Sequence, residues 1–155
     1  MPKIVLTTNI DAPKQVVFDL SRSIELHKAS TKRTNEKAVA GKKSGLVGLG
    51  DWVTWRAKHF GIYQNLTSKI TEYNSPHYFC DEMVNGAFHS FRHEHHFETF
   101  RNGTKMNDIF EYKSPLGVLG KLVDRLFLKK YMIDFLTERN RMIKEFAESN
   151  KHINV

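Results

Sequence analysis

The stretch 89-HSFRHEHHFETFRNGTKMNDIFEYK-113 decides the architecture, because two alternating runs flank the pair Asn102-Gly103. Alternation of apolar and polar side chains marks a half-buried strand, and Asn-Gly between two such runs is the strongest short hairpin signal. Taking Asn102 and Gly103 as the turn sets Arg101 opposite Thr104. Counting outward then sets Thr99 opposite Met106, Phe97 opposite Asp108, His95 opposite Phe110 and His93 opposite Tyr112. Opposed residues share one side of a sheet. One face therefore carries Phe91, His93, His95, Phe97, Met106, Asp108, Phe110 and Tyr112. The other carries Arg92, Glu94, His96, Glu98, Asn107 and Glu111. The first is aromatic and is expected to face inward; the second is charged.

Upstream of this hairpin, Trp52 to His59, Asn65 to Tyr73 and Tyr78 to Val84 read as further strands. Asn74-Ser75-Pro76 and Asn85-Gly86 mark their turns, and such short connections favour antiparallel neighbours. Thr31 to Ala40 is a candidate strand ahead of the glycines of GKKSGLVGLG. At the start, Lys3 to Ile10 alternates, and Asp11-Ala12-Pro13 then supplies a capping side chain and an early helical proline. Two short helices follow, the second carrying Ile24, Leu26 and His27. Downstream of Ser114-Pro115, apolar residues recur at helical spacing from about Val118 to Ser149: Leu119, Leu122, Leu126, Met132, Phe135, Leu136, Ile143 and Phe146. That is one long helix with a single apolar stripe. The order is strand, two helices, six strands, helix. A bent antiparallel sheet with one apolar face needs a cover, and the last helix provides it. The fold class is α+β, a single domain over 1–155, with space for a cavity between sheet and helix.

Composition narrows the function classes. The chain has 155 residues and a formal charge of +7. Its basic residues are scattered, with no stripe or nucleic-acid motif, so the charge reads as solubility and no nucleic-acid partner is expected. No run approaches the ~20 apolar residues of a membrane span, and MPKIVLTTNIDAP lacks a signal-peptide core. The lone Cys80 permits no internal disulfide and fits a reducing compartment. The expectation is a soluble, cytoplasmic protein. GLVGLG fits neither a Walker loop nor the dinucleotide fingerprint, and no nucleophile elbow accompanies the serines or Cys80.

The inward face of the hairpin holds two imidazoles and a carboxylate, with Asp108 diagonal to His95. A buried carboxylate is costly unless paired, and histidine is a natural partner. Three readings are open: a satisfied polar pair within a core, a polar anchor in a ligand cavity, and a zinc site. The last needs a third protein ligand, for which His27, His59 and Asp108 are the candidates.

Eight segments carry a resemblance: IDAPKQVVFDL (10–20), LHKAS (26–30), EKAVAG (36–41), VTWRAKHFGI (53–62), TSKITEY (67–73), FCDEMVNGAF (79–88), FRHEHHFE (91–98) and GTKMNDIFEYKSPLG (103–117). In this order they cover almost the whole chain. The chain resembles the SRPBCC superfamily (START-like, Bet v 1-like, helix-grip), and within it the ligand-binding group related to polyketide cyclase/dehydrase-like proteins. The resemblance implies a bent sheet of about seven strands gripping the C-terminal helix, and a small hydrophobic ligand beneath that helix. By position it points to His27, His59, His93, His95 and Asp108 as polar site residues. Trp55, Phe60, Phe97, Met106, Phe110 and Tyr112 are their apolar companions. It implies no cofactor and no shared catalytic set.

Two functions suit these groups. A binding module would use the aromatic walls for burial and the imidazole–carboxylate cluster to orient one polar end. A cyclase or dehydratase would use His93 or His95 as general acid or base on a bound carbonyl compound, since histidine titrates near working pH. The binding module is the preferred expectation.

Overall fold

The computed structural model describes residues 2–114 and 127–149. Seven strands form one antiparallel sheet: β1 (Lys3–Ile10), β2 (Lys37–Gly41), β3 (Trp52–His59), β4 (Ile62–Asn74), β5 (Tyr78–Asn85), β6 (Ser90–Phe100) and β7 (Gly103–Lys113). Their order is β1-β7-β6-β5-β4-β3-β2, so each strand after β2 pairs with the next, and β1 closes on the last. Helices α1 (Lys14–Ser21) and α2 (Ile24–Ser30) connect β1 to β2, and α3 (Lys129–Glu148) lies against β1, α1 and α2. The α+β helix-grip architecture expected from the sequence is the one observed.

Alternation explains which side of the sheet is covered. Along β6 and β7 every second residue is buried, from Phe91 to Phe97 and from Thr104 to Tyr112. Phe18 of α1 anchors the core at one end, its ring edge-on to Tyr73, Phe79 and Phe97. Such edge-to-face contacts add about 0.5–1.5 kcal/mol each beyond area burial. Val17, Phe18 and Ile143 are fully enclosed there. A second apolar cluster, Ile4, Phe91, Phe110, Tyr112 and Leu136, holds the other end. Register shifts between Thr67 and Ser68 and between Ile70 and Glu72 bend β4 across the middle of the sheet, as bulges do.

The β6–β7 register differs from the expected one by two residues. Phe100 pairs with Gly103, Phe97 with Met106, His95 with Asp108 and His93 with Phe110. The turn residues are Arg101 and Asn102, with Arg101 in the left-handed region at φ 56°. Gly103 instead begins β7, where a side chain would collide with β1: a Cβ there would stand 2.4 Å from the Ile10 carbonyl oxygen. A two-residue shift leaves every side chain on its original face, so the inward and outward sets stand.

Two further expectations are corrected. Thr31 to Ala40 is not one strand; Lys32–Thr34 forms a 3-10 turn before the short β2. Asn85-Gly86 is not a two-residue hairpin turn, since β6 begins only at Ser90. The last helix is described from Lys129, and its expected start near Val118 lies outside the described residues. Leu119, Leu122 and Leu126 lie outside the described residues.

Candidate functional site

Between the concave face and α3 lies a cavity of about 490 Å³, within the range of drug-sized ligand sites. It lies where small side chains stand beside large ones on β3 and β4. Val53 pairs with Ser68, Trp55 with Leu66 and Ala57 with Gln64, and all six line the space. The rows of aromatics on β6 and β7 have no counterpart there. From α3, Tyr131, Met132, Phe135, Leu136 and Arg139 form the facing wall, because their spacing keeps them on one helical face.

One wall is ionisable. His95 donates from Nε2 to Asp81 Oδ1 at 2.7 Å, and His93 donates from Nε2 to Asp108 Oδ1 at 3.1 Å. The two imidazole rings are tilted 37° to one another, with centroids 3.8 Å apart. Asp108 also accepts from Asn140 Nδ2 at 2.8 Å and has Arg139 Nη1 3.6 Å from its Oδ1. Arg139 is itself tied to Asn140 and to the Ser21 carbonyl. His95 Nδ1 stands 3.1 Å from Asp108 Oδ1, but without hydrogen-bonding alignment, and it has no hydrogen-bond partner.

Burial and charge set the protonation states. Burial pushes the His93 imidazole down to about 4, helped by the neighbouring His95 and opposed by Asp108. His93 is therefore neutral at neutral pH. Burial acts to raise the Asp108 carboxyl, yet the hydrogen bond from His93, the close His95 ring and the Arg139 charge hold it well below the usual carboxylate range. Asp81 is depressed against burial in the same way, chiefly by the hydrogen bond from His95. A paired, hydrogen-bonded carboxylate tolerates enclosure where a lone one does not.

A second polar pair sits elsewhere on the lining. His27 Nε2 is 2.9 Å from Glu36 Oε1, and its ring lies 4.3 Å from that of Trp55. Near the rim, His59 Nδ1 accepts a short hydrogen bond from the Tyr131 hydroxyl. Phe60, exposed and at φ 52° in the β3–β4 turn, packs on the Tyr131 ring. Burial lowers the His59 imidazole, partly offset by the Glu36 charge.

Of the residues singled out in the sequence, His27, Trp55, His59, Phe60, His93, His95 and Phe110 line the cavity. Asp108 lies behind the two histidines, almost wholly enclosed. Phe97 and Met106 pack in the core around Phe18, and Tyr112 packs among Phe91, Phe110 and Leu136. The sequence reading missed Asp81, Glu36, Arg139 and Asn140. Asp81 carried a signal, since Phe79-x-Asp81 puts both on one face of β5. Arg139 and Asn140 carried none, because polar residues on a surface-facing helix pattern read as solvated. Of the three candidates for a group beside the histidines, Asp108 does stand against both, His27 and His59 do not, and Asp81 joins them on the cavity side.

No protein-family model matches the chain, and no curated protein matches it in sequence. Solved structures do match in shape. That of TTHA0849 from Thermus thermophilus covers 94% of this chain and 97% of its own, with TM-score 0.76 and 19% identity. The major latex-like protein 151 of Panax ginseng covers 96% and 98%, with TM-score 0.69 and 16% identity. The protein Ara h 8.0201 covers 92% and 97%, with TM-score 0.66 and 12% identity. At these identities the likeness concerns architecture. The chain has an SRPBCC-type, Bet v 1-like helix-grip fold. Among the described residues, no helix is long and apolar enough to cross a membrane.

Proposed function

We propose that this protein binds a small hydrophobic or amphipathic ligand, lipid-, polyketide- or aromatic-like, in the cavity between sheet and α3. One observation carries the reading: a largely apolar cavity of about 490 Å³ ends on a wall of enclosed, mutually hydrogen-bonded ionisable groups. Apolar walls stabilise a bound molecule by roughly 25 cal/mol per Å² of apolar area buried. Polar groups fixed by a second layer of contacts orient one end of it. Asp81, His93, His95 and Arg139 are the groups that meet that end, and Trp55, Leu66, Met132 and Phe135 meet the apolar body. With its Nε2–H committed to Asp108, the neutral His93 offers Nδ1 as an acceptor, which suits a ligand hydroxyl better than donation of a proton. Native mass spectrometry of protein purified from its own host tests the reading. A retained apolar molecule, released on denaturation and absent from an Ala57→Trp variant, is the expected result. A protein that leaves its host empty and takes up no fatty acid, sterol or aromatic acid would overturn it.

A further inference from the structure

We infer that Asp81, His93 and His95 form a site for a divalent transition-metal ion, with open coordination positions facing the cavity. Asp81 Oδ1 stands 2.7 Å from His95 Nε2 and 3.9 Å from His93 Nδ1, and one donor atom from each residue falls within 4.8 Å of the others. Donors bound at about 2.0–2.2 Å to one ion lie about 3 Å apart, so modest side-chain rotation suffices. Two imidazoles and one carboxylate with vacant positions is the donor set of mononuclear non-haem iron(II) and of catalytic zinc.

The surroundings fit an ion in a way the bare hydrogen bonds do not. His93 turns Nε2 to Asp108 and leaves Nδ1 toward Asp81. His95 turns Nε2 toward Asp81 and leaves a buried Nδ1 without a hydrogen bond, 3.1 Å from Asp108 Oδ1. When Nε2 of His95 binds a metal, its proton moves to Nδ1, and a small tilt of the ring gives that proton to Asp108. No proton is gained or lost in this tautomeric change. Asp108 then backs both ligating histidines, as outer carboxylates do in metal sites. Asn140 and Arg139 hold Asp108 in place from α3. The ring nitrogen that lacks a hydrogen bond thus gains a partner in the metal-bound tautomer. The inference stands apart from the identity of the organic ligand, although an oxygen of that ligand is the natural occupant of a vacant position.

The test uses the full chain without an affinity tag, stripped by chelator, dialysed, and titrated calorimetrically with Zn²⁺ and with Co²⁺. Saturable binding of one ion per chain is expected, with visible cobalt bands of a low-symmetry site. Asp81→Ala and His93→Ala should lose more affinity than the ~10- to 100-fold typical of an outer partner. Asp108→Asn should fall within that range, and His96→Ala should change nothing. Ring-nitrogen resonances of His93 and His95 should shift in the wild type while those of His96 stay. This readout does not depend on whether the variants fold. Absence of saturable binding, or binding that moves the His96 resonances and ignores Asp81→Ala, overturns the inference.

Discussion

Asp81 on β5 and His95 on β6 share a 2.7 Å hydrogen bond across the inner face, although neither stands directly opposite the other. In the ladder Asp81 opposes His93, and His95 opposes Phe79, whose ring stacks on the imidazole at 4.1 Å. The diagonal contact places one carboxylate on the cavity side of the two histidines, while Asp108 lies on the enclosed side. The imidazoles are therefore held between two anions and cannot rotate away from the cavity without breaking a charged hydrogen bond.

Removing the enclosed anion should be costly. Asp108→Ala strips His93 and Asn140 of their acceptor and leaves the buried Arg139 charge unbalanced. A loss of about 3–5 kcal/mol is expected, as when one partner of a buried ion pair is deleted. Urea denaturation measures it; a loss below about 1 kcal/mol would mean the network adds little.

Packing and cavity should answer differently to the same kind of truncation. Ile143 is wholly enclosed against Phe18 and its neighbours, so Ile143→Ala should cost about 2–5 kcal/mol. Phe135 is half-buried and borders existing space. Phe135→Ala should cost less and should change dye binding, which Ile143→Ala should not. Paired denaturation and dye titrations check both halves.

The rim histidine gives a pH dependence. Burial lowers the folded His59 imidazole below its unfolded value of about 6.5. As pH falls through that value the unfolded chain takes up a proton first, so His59 contributes stability above about pH 6.5 that is lost below it. Protonation also ends its role as acceptor for Tyr131. His93, pushed to about 4, acts in the same direction and persists in a rim variant. The denaturation midpoint should therefore drop between pH 8 and pH 5 in the wild type, and drop less in His59→Phe. Equal drops would remove His59 from the account.

The outer face should be nearly silent. His96 is partly exposed, hydrogen-bonds to Glu94 2.9 Å away and lies beside the Tyr78 ring. His96→Ala should shift stability by no more than about 0.5 kcal/mol, and a loss comparable to that of His95→Ala would contradict the facing of β6.

How much of this was legible in the sequence follows from parity. Alternation assigned His93, His95 and Asp108 to the covered face without fixing the register, since a two-residue shift preserves faces. It could not show that Gly103 serves close approach to Ile10 rather than a turn. Nor could it bring Asp81 beside His95, because the long β5–β6 loop offers no turn from which to count. Arg139 and Asn140 became legible only once α3 was seen against the sheet, for their inward role depends on how that helix is rotated. The cavity itself was foreseen in kind, but its position rests on Ala57 and Ser68, whose smallness has meaning only once they are seen to line the same space as Trp55 and Phe135.

The central claim, that the space under α3 takes up an apolar molecule, is met most directly by titrating anilinonaphthalene sulfonate into the wild type and Ala57→Trp. Ala57 on β3 is buried and borders the cavity, so an indole there occupies the space a ligand needs. Circular dichroism confirms folding, and the milder Ser68→Leu serves if the larger side chain unfolds the chain. Saturable one-to-one binding is expected in the wild type, abolished or strongly weakened in the filled variant. Equal binding by a folded, filled variant would place the dye on the outer surface and contradict the claim.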